Sequence, residues 1–304
     1  MSMQFLNHLQ FWKKPEQPNV ASPQRRASLK VKMLGQYEIL REIGRGSMGV
    51  VYLGWDRLNR RDAALKTMSL ASEFDQHALE DAKARFMREA EFLDTLNHPN
   101  IVDFYSAGEE HGLAYIAMEF LRGVELTEYT KPGSLLPLPT LLEIMERAAE
   151  ALGYAHEQKI VHRDVKPGNI MYDAGSNVIK MADFGISRLT NLSRTRTGVV
   201  LGSPYYMSPE QVVGDKVNGQ SDLFSLGATF YQLVTGHLPF KGETDMQVMY
   251  SITQDPTPDI STIRPDLPQG IRAIIHRALA KNKAERFNNG YEMAQAIRRC
   301  ALAL

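Results

Sequence analysis

Strand-like and helix-like segments are distributed unevenly along this chain of 304 residues. Up to about residue 120, the sequence contains short apolar or alternating segments bounded by turn residues, which predict β-strands. These segments are residues 37–43, 50–54, 62–68, 101–105 and 113–120. Residues 79–96 lie among them and have helical periodicity, with apolar residues at Phe86, Ala90 and Leu93.

Helices predominate after residue 120. The segments with helical character there are residues 141–157, 221–235, 244–253, 270–280 and 291–304. A strand-rich part followed by a helix-rich part is typical of the α+β class, in which sheet and helices occupy separate regions. We therefore predict two lobes, residues 35–121 and residues 122–304, joined near residues 119–123.

Residues 1–34 differ from the rest of the chain. Residues 13–28 contain three prolines and few large apolar side chains. Such a stretch buries too little surface to offset the entropy lost on ordering, so we predict a flexible N-terminal tail. A few apolar residues recur near its start at helical spacing: Phe5, Leu6, Leu9 and Trp12. They leave open a short amphipathic helix that docks on a partner or on the protein's own N-lobe.

The composition excludes several classes of protein. Lys+Arg and Asp+Glu both number 35, so no net charge attracts nucleic acid or an acidic membrane. The single cysteine, Cys300, excludes an internal disulfide and suits a reducing compartment. No segment approaches the roughly 20 apolar residues that span a bilayer. We expect a cytoplasmic protein with no transmembrane segment and no nucleic-acid partner.

The segment His-Arg-Asp-Val-Lys-Pro-Gly-Asn, residues 162–169, combines side chains that suit phosphoryl transfer. Asp164 can accept a proton from an attacking hydroxyl, and Lys166 can neutralise charge on the phosphate. The side-chain carbonyl of Asn169 can bind a hard cation. Asp183, in Asp-Phe-Gly, adds a second carboxylate suited to Mg²⁺.

A glycine-rich turn lies upstream between two predicted strands, with glycines at 44, 46 and 49. A dinucleotide-binding fingerprint would need a helix after the turn, so this pattern is of another kind. The exposed backbone of such a turn can donate N–H groups to phosphate oxygens, although the pattern alone also fits a plain tight hairpin. Lys66 follows in an apolar strand, where an unpaired ammonium would be costly and anions are needed nearby.

Together and in this order, these motifs resemble those of eukaryotic-type (Hanks-type) Ser/Thr protein kinases, in a style closest to the bacterial members. The resemblance covers about residues 37–304. It implies a bilobal fold with a five-stranded antiparallel N-lobe sheet, one long N-lobe helix and a mainly helical C-lobe. It also implies transfer of the ATP γ-phosphoryl group to protein Ser or Thr hydroxyls with Mg²⁺, or with Mn²⁺ in its place.

The resemblance assigns roles to individual residues. Asp164 becomes the catalytic base, and Lys166, two residues later, is the mark of Ser/Thr kinases. Lys66 would bind the nucleotide phosphates and pair with Glu89. Asn169 and Asp183 would hold the metal ions. The nucleotide would contact Ile43, Gly44, Arg45, Gly46, Ser47, Gly49, Val51, Ala64, Lys66, Met118, Glu119, Leu121 and Met171.

The resemblance also implies structural marks and a switch. Asp222 would anchor the backbone of the catalytic loop, and Glu210 would pair with Arg286. Thr195 and Thr197 match autophosphorylation sites of the family's activation segment, which lies between Asp183 and Glu210. Arg163, the basic residue beside Asp164, would bind the phosphates on these threonines.

The resemblance also implies how the acceptor is selected, through Ile186 and Glu125. Ile186, after Asp-Phe-Gly, would favour Thr over Ser. Glu125 matches an acid that reads an Arg three residues before the acceptor, and Arg194 and Arg25 stand in that register to Thr197 and to Ser28 in the tail. Ser28 is therefore a second candidate phosphosite.

Two other functions compete with this interpretation. A pseudokinase scaffold would need damage at Lys66, Asp164 or Asp183, and all three are intact. A small-molecule phosphotransferase would lack the Ser-Pro-Glu segment at residues 208–210. The expected partners are protein substrates with Ser or Thr acceptors, a phosphothreonine-binding domain, a cognate phosphatase, and a second copy of the chain during trans-autophosphorylation.

Overall fold

The computed structural model describes residues 31–46, 49–70, 76–184 and 204–304. It divides into two compact units. The first comprises the described residues up to Asp94 together with Asp103–Val124. The second comprises Thr95–Val102 and Glu125–Leu304. The break between Val124 and Glu125 lies close to the predicted joint, whereas the assignment of Thr95–Val102 to the second unit is not apparent from periodicity.

The first unit contains one antiparallel sheet with the strand order β1-β2-β3-β4-β6-β5 among its described residues. Its strands are β1 (Met33–Leu34), β2 (Tyr37–Gly46), β3 (Gly49–Asp56), β4 (Arg61–Met68), β5 (Phe104–Glu110) and β6 (Leu113–Glu119). The α+β class is confirmed, and four of the predicted strands begin and end within a few residues of the observed ones. The predicted strand at residues 101–105 is displaced, because Ile101 instead forms an isolated bridge to Met181.

The strand β1 corrects the prediction of five strands, since six are present in the described part of this unit. Leu34 has no exposed surface and packs in a cluster with Tyr37, Tyr52 and Tyr115. The hydroxyl groups of Tyr37 and Ser106 form a 2.7 Å hydrogen bond beside it. Strand structure is therefore present at residues 33–34, within the segment 1–34 that was predicted to be a tail. A two-residue strand is too short to produce a periodic signal in the sequence.

The helix α1 (Gln76–Leu93) packs against β5. Its buried stripe includes Phe86, Ala90 and Leu93, which are the residues that predicted it. The helix starts earlier and ends earlier than residues 79–96.

The second unit contains six α-helices in its described part. They are α2 (Leu138–Glu157), α3 (Pro209–Val213), α4 (Gly219–Thr235), α5 (Asp245–Gln254), α6 (Gln269–Ala278) and α7 (Gly290–Ala301). A small sheet with the order β7-β8-β9 accompanies them, formed by β7 (Val124–Glu125), β8 (Ile170–Asp173) and β9 (Val178–Met181). Of β7, only Glu125 belongs to this unit. All five predicted helices are present, and the short α3 was not predicted.

Helix α4 forms the centre of the second unit, and most of its residues are buried. Asn218 caps its N-terminus by accepting a hydrogen bond from the backbone of Gln220. At the other end Gly236 adopts φ +75° against Pro132, which leaves no room for a side chain. Among the described residues, no helix combines the length and the apolar character needed to cross a membrane.

Candidate active site

The glycine-rich turn joins β2 to β3, and Gly46 pairs with Gly49 where the two strands meet the turn. Gly49 has φ +133°, a conformation that L side chains rarely adopt. A Cβ atom there would also overlap the carbonyl oxygen of Thr67 on β4. Glycine is therefore required at residue 49 for two separate reasons. Ser47, between the glycines, lies outside the described residues.

Lys66 lies in β4 with 4% of its surface exposed. Residues directly opposite each other on neighbouring strands point to the same face of a sheet. Val51 is opposite Lys66, and Met118 on β6 is opposite Ala64. Because Ala64 and Lys66 are two residues apart, all four side chains occupy one face of the sheet. This face therefore carries the buried ammonium group of Lys66 together with three apolar side chains.

Glu89 lies on α1 between the buried Phe86 and Ala90, and it is partly exposed. Its pairing with Lys66 stays a prediction. Glu119 and Leu121, also in the first unit, are partly buried.

In the second unit, side chains of the segment 162–169, the predicted catalytic loop, converge on one carboxylate. The ammonium of Lys166 lies 2.7 Å from Oδ2 of Asp164. The side-chain amide of Asn169 donates to the same oxygen at 3.0 Å and to the backbone carbonyl of Asp164 at 2.7 Å. A short 3₁₀ turn, Pro167–Asn169, brings Asn169 back toward Asp164. The three residue types that the sequence singled out therefore form one cluster.

Asp222, at the start of the buried helix α4, fixes the backbone of this loop. Its Oδ2 accepts from the amide of His162 at 2.8 Å, and its Oδ1 accepts from the amide of Arg163 at 2.7 Å. The ring of His156 lies 2.8 Å from the same carboxylate. Arg163 has φ +68°, a strained conformation that the two adjoining hydrogen bonds help to hold. The predicted anchoring role of Asp222 is confirmed.

His162 joins the catalytic loop to the segment that carries Asp183. Its Nδ1 accepts from the backbone amide of Asp164 at 3.3 Å, so Nε2 carries the proton. Nε2 then donates to the carbonyl of Ala182 at 2.9 Å. The imidazole ring also packs on Phe184, with the ring centroids 4.4 Å apart. These contacts with the residues on either side of Asp183 fix its backbone relative to the loop that carries Asp164.

The oxygen donors of Asn169 and Asp183 fit a hard divalent cation. The backbone amide of Ala182 donates to the carbonyl of Asn169 at 2.9 Å, which brings the two donor residues onto adjacent backbone. The amide nitrogen of Asn169 is used by Asp164, which leaves Asn169 Oδ1 as a ligand. Within the described ranges, no group of three or more His, Cys, Asp or Glu could hold a metal alone. Mg²⁺ is commonly bound by one or two protein oxygen donors, with phosphate oxygens and water as the other ligands.

A family model described as "Protein kinase domain" matches residues 37–299 of this chain. The chain belongs to the protein kinase family. It is 39% identical over 268 residues to the Serine/threonine-protein kinase PrkC of Bacillus subtilis (strain 168), an alignment that covers 88% of this chain and 41% of PrkC. The chain thus spans about two fifths of that relative's length.

Solved kinase structures agree with the fold. The Mycobacterium tuberculosis PknI kinase domain matches with a TM-score of 0.72 and 30% identity, over 90% of this chain and all of that one. Rad53 in complex with AMP-PNP matches with a TM-score of 0.70 and 25% identity, over 85% of this chain and 64% of that one. Its curated relatives include Ser/Thr kinases from bacteria, which supports a place among the Hanks-type members of the family.

A buried ion pair joins α3 to the segment that precedes α7. Both carboxylate oxygens of Glu210 bind the guanidinium of Arg286, at 2.8 and 3.0 Å, and both side chains are almost fully buried. Burial would raise the pKa of Glu210, but the hydrogen bonds from Arg286 and Ser221 bring it below its ordinary value. Arg286 also donates to backbone carbonyls of Ala280, Lys281 and Gln220. The predicted pair is confirmed.

Gln211 is a functional residue that the sequence analysis missed. Its side-chain amide donates to the carbonyl of Arg163 at 2.8 Å, so α3 holds the catalytic loop from a second side. Its carbonyl oxygen also closes a capping box with Ser208. The capping pattern is visible in the sequence, but the contact with Arg163 spans 48 residues and has no local signal.

The remaining predicted site residues are distributed as follows. Glu125 is 6% exposed, and a Cβ atom at Gly168 would lie 3.4 Å from its Oε2, so the acid adjoins the catalytic loop. Met171 lies buried in β8. Ile43 to Gly46 lie in β2. The following lie outside the described residues: Ser28, Arg25, Ile186, Arg194, Thr195 and Thr197.

Proposed function

We propose that this chain is a Ser/Thr protein kinase that transfers the γ-phosphoryl group of ATP to a Ser or Thr hydroxyl. The observation that carries the proposal is the Asp164 carboxylate, which Lys166 and Asn169 bind while Asp222 fixes the adjoining backbone. The family match and the name of the relative PrkC support it.

The geometry supports different roles for the two carboxylate oxygens of Asp164. Lys166 and Asn169 both bind Oδ2, so Oδ1 can accept a hydrogen bond from the substrate hydroxyl. As the hydroxyl oxygen bonds to the γ-phosphorus, the bond to the β–γ bridging oxygen breaks and ADP leaves. The hydroxyl proton passes to Asp164, whose main contribution is to orient the nucleophile. Lys166 stabilises negative charge on the transferred group.

The remaining roles concern ATP and a divalent ion. The glycine turn and Lys66 would bind the phosphates from the first unit, with Val51 and Ala64 against the base, and Glu89 would pair with Lys66. Met118, Glu119 and Leu121 would line the adenine end, and Met171 would also contact the base. Asn169 and Asp183 would hold Mg²⁺, or Mn²⁺ in its place, which neutralises phosphate charge when bound. The oxygen-only donor set of these two residues supports this assignment.

Regulation and selectivity form a second part of the proposal. Phosphates on Thr195 and Thr197 would pair with Arg163, whose backbone is already held by Asp222 and Gln211. Glu125 would select an Arg three residues before the acceptor, because its carboxylate lies beside Gly168 of the catalytic loop. This register supports Thr197 and Ser28 as phosphosites, and Ile186 supports a preference for Thr.

Partners follow from this chemistry. Protein substrates, a phosphothreonine-binding domain, a cognate phosphatase and a transient homodimer would each suit a kinase that phosphorylates its own activation segment. The single cysteine supports a cytoplasmic location.

The decisive experiment incubates the purified chain with labelled ATP and Mg²⁺ and maps the phosphosites by mass spectrometry. Asp164→Asn should lower phosphoryl transfer by orders of magnitude while nucleotide binding and the fold persist. Asp215→Asn, at an exposed acid in the same unit, is the matched control and should leave the rate unchanged. An inactive wild type, or wild-type activity in Asp164→Asn, would overturn the proposal.

A further inference from the structure

Lys83, near the middle of α1, forms an ion pair with the sheet. Its ammonium lies 3.0 Å from Oε2 of Glu109 on β5 and 3.2 Å from Oε1 of Glu80, one turn earlier in the helix. Lys83 and Glu109 expose only 27% and 32% of their side chains, whereas Glu80 exposes 80%. The hydrogen bonds that Lys83 donates to Glu109 and Glu80 raise the pKa of Lys83, so its ammonium stays charged at neutral pH. Glu109 is therefore the partner that connects α1 to another element.

The position of this pair on the helix determines what it restrains. Lys83 and the buried Ala90 are seven residues apart, so they lie on the same face of α1, toward the sheet. Apolar contacts such as that of Phe86 keep this face of α1 against the sheet, but they are not directional and permit the helix to rotate or slide. An ion pair joins one point on the helix to one point on the strand and so sets the register. Glu109 is itself fixed, because it is paired with Ala114 in the sheet.

We propose that Lys83 and Glu109 form a tether that sets the register of α1 on the sheet and so holds Glu89 in place for Lys66. Glu89 follows Lys83 by six residues, about 9 Å along the helix axis. Lys83 is thus a positioning residue that acts through Glu89, and the inference rests on the proposed role of Glu89 in the kinase reaction.

The tether affects catalysis more than overall stability. Partly exposed ion pairs contribute little to the free energy of unfolding, because solvent screens them in both states. A shift of the helix by a fraction of a turn would nevertheless displace the Glu89 carboxylate, and catalytic geometry tolerates little displacement. The expected effect is therefore a lower turnover with an unchanged melting temperature.

The test uses charge reversal and charge exchange. Lys83→Glu and Glu109→Lys should each lower kcat/KM for ATP by roughly threefold to tenfold, because like charges then face each other. The exchanged double variant should recover most of the loss. Amide hydrogen exchange in α1 should accelerate in the single variants and slow again in the double variant. This second measurement does not require activity.

The ion pair of Arg57 with Glu38 provides the matched control, since it joins two elements of the same unit at 2.8 Å and does not involve α1. Arg57→Glu should change neither kcat/KM nor exchange in α1. The tether is refuted if the single variants keep wild-type kcat/KM and wild-type exchange, or if the double variant is no better than the worse single variant. Glu89→Gln separates the two proposals, because wild-type activity in that variant would refute the role of Glu89 whatever the exchange data show.

Discussion

The ammonium of Lys281 lies 2.6 Å from the carbonyl oxygen of Ile252 and 3.7 Å from the ring centroid of Phe240. Ile252 is in the last turns of α5, so this lysine binds the negative end of that helix dipole and clamps it to the core of the second unit. Burial and, to a smaller extent, the nearby Arg286 lower the pKa of Lys281 to about 8, against the opposing effect of Asp255. A cation therefore stabilises α5 at the cost of its own desolvation.

The pH dependence of stability should reveal this lysine. Between pH 8 and the ordinary lysine pKa of 10.5, the unfolded chain holds a proton that the folded chain has released. Folding stability contributed by Lys281 therefore rises with pH across that interval. The free energy of unfolding of the wild type, measured by urea denaturation, should increase relative to Lys281→Met between pH 7 and pH 10. A constant difference between the two proteins would show that Lys281 titrates normally.

Breaking the buried ion pair should be costly. Arg286→Leu leaves the Glu210 carboxylate buried without its guanidinium, and removal of one partner from such a pair costs about 3–5 kcal/mol. Urea denaturation should show this loss, and the double variant Glu210→Gln/Arg286→Leu should recover part of it. Arg298→Leu is the control, because Arg298 forms exposed pairs with Glu146 and Glu150 in the same unit and should cost much less. Equal losses for the two arginines would contradict the argument.

Gly49→Ala should impair the use of ATP because it distorts the backbone of the hairpin that carries the glycine-rich turn. The added Cβ atom would meet the carbonyl of Thr67 and strain a residue at φ +133°, so the hairpin must distort. We expect kcat/KM for ATP to fall by more than about tenfold, since catalysis is sensitive to small displacements. Gly112→Ala also places a side chain at a positive φ, +77°, but the added atom meets no neighbour, and the variant should retain activity. If both variants behave alike, the close approach to Thr67 is unimportant.

Gln211 and Gln247 offer a matched comparison. Each closes a capping box at the start of its helix, but only Gln211 also binds the carbonyl of Arg163. Gln211→Leu should lower kcat several-fold because the catalytic loop loses one of its two anchors, whereas Gln247→Leu should affect stability alone. Steady-state kinetics and thermal unfolding of both variants measure the difference. A similar fall in kcat for both would mean that capping, not the loop contact, matters.

The sequence predicted those parts of the fold and site that depend on local pattern. The long helices were found because their buried stripes repeat at the helical period. The catalytic cluster was found because Asp164, Lys166 and Asn169 lie within six residues and converge through one short turn. Residue types and their spacing were sufficient in these cases.

The contacts that the sequence did not predict join residues far apart in the chain. Gln211 reaches Arg163, and Lys83 reaches Glu109, only after the elements that carry them have packed. Long polar side chains have many accessible rotamers, so their partners are decided by tertiary structure rather than by propensity. The strand β1 was missed for a related reason, since two residues acquire strand geometry only through pairing with β2.

Strand β1 contributes to the buried core of the first unit, although it lies before the start of the family match. The kinase family match begins at Tyr37, whereas the fully buried Leu34 precedes it. A protein expressed from Tyr37 onward would keep every motif of the family and still open a hole beside Tyr52 and Tyr115. The segment that the family shares in sequence is thus shorter than the segment that is needed to complete the core.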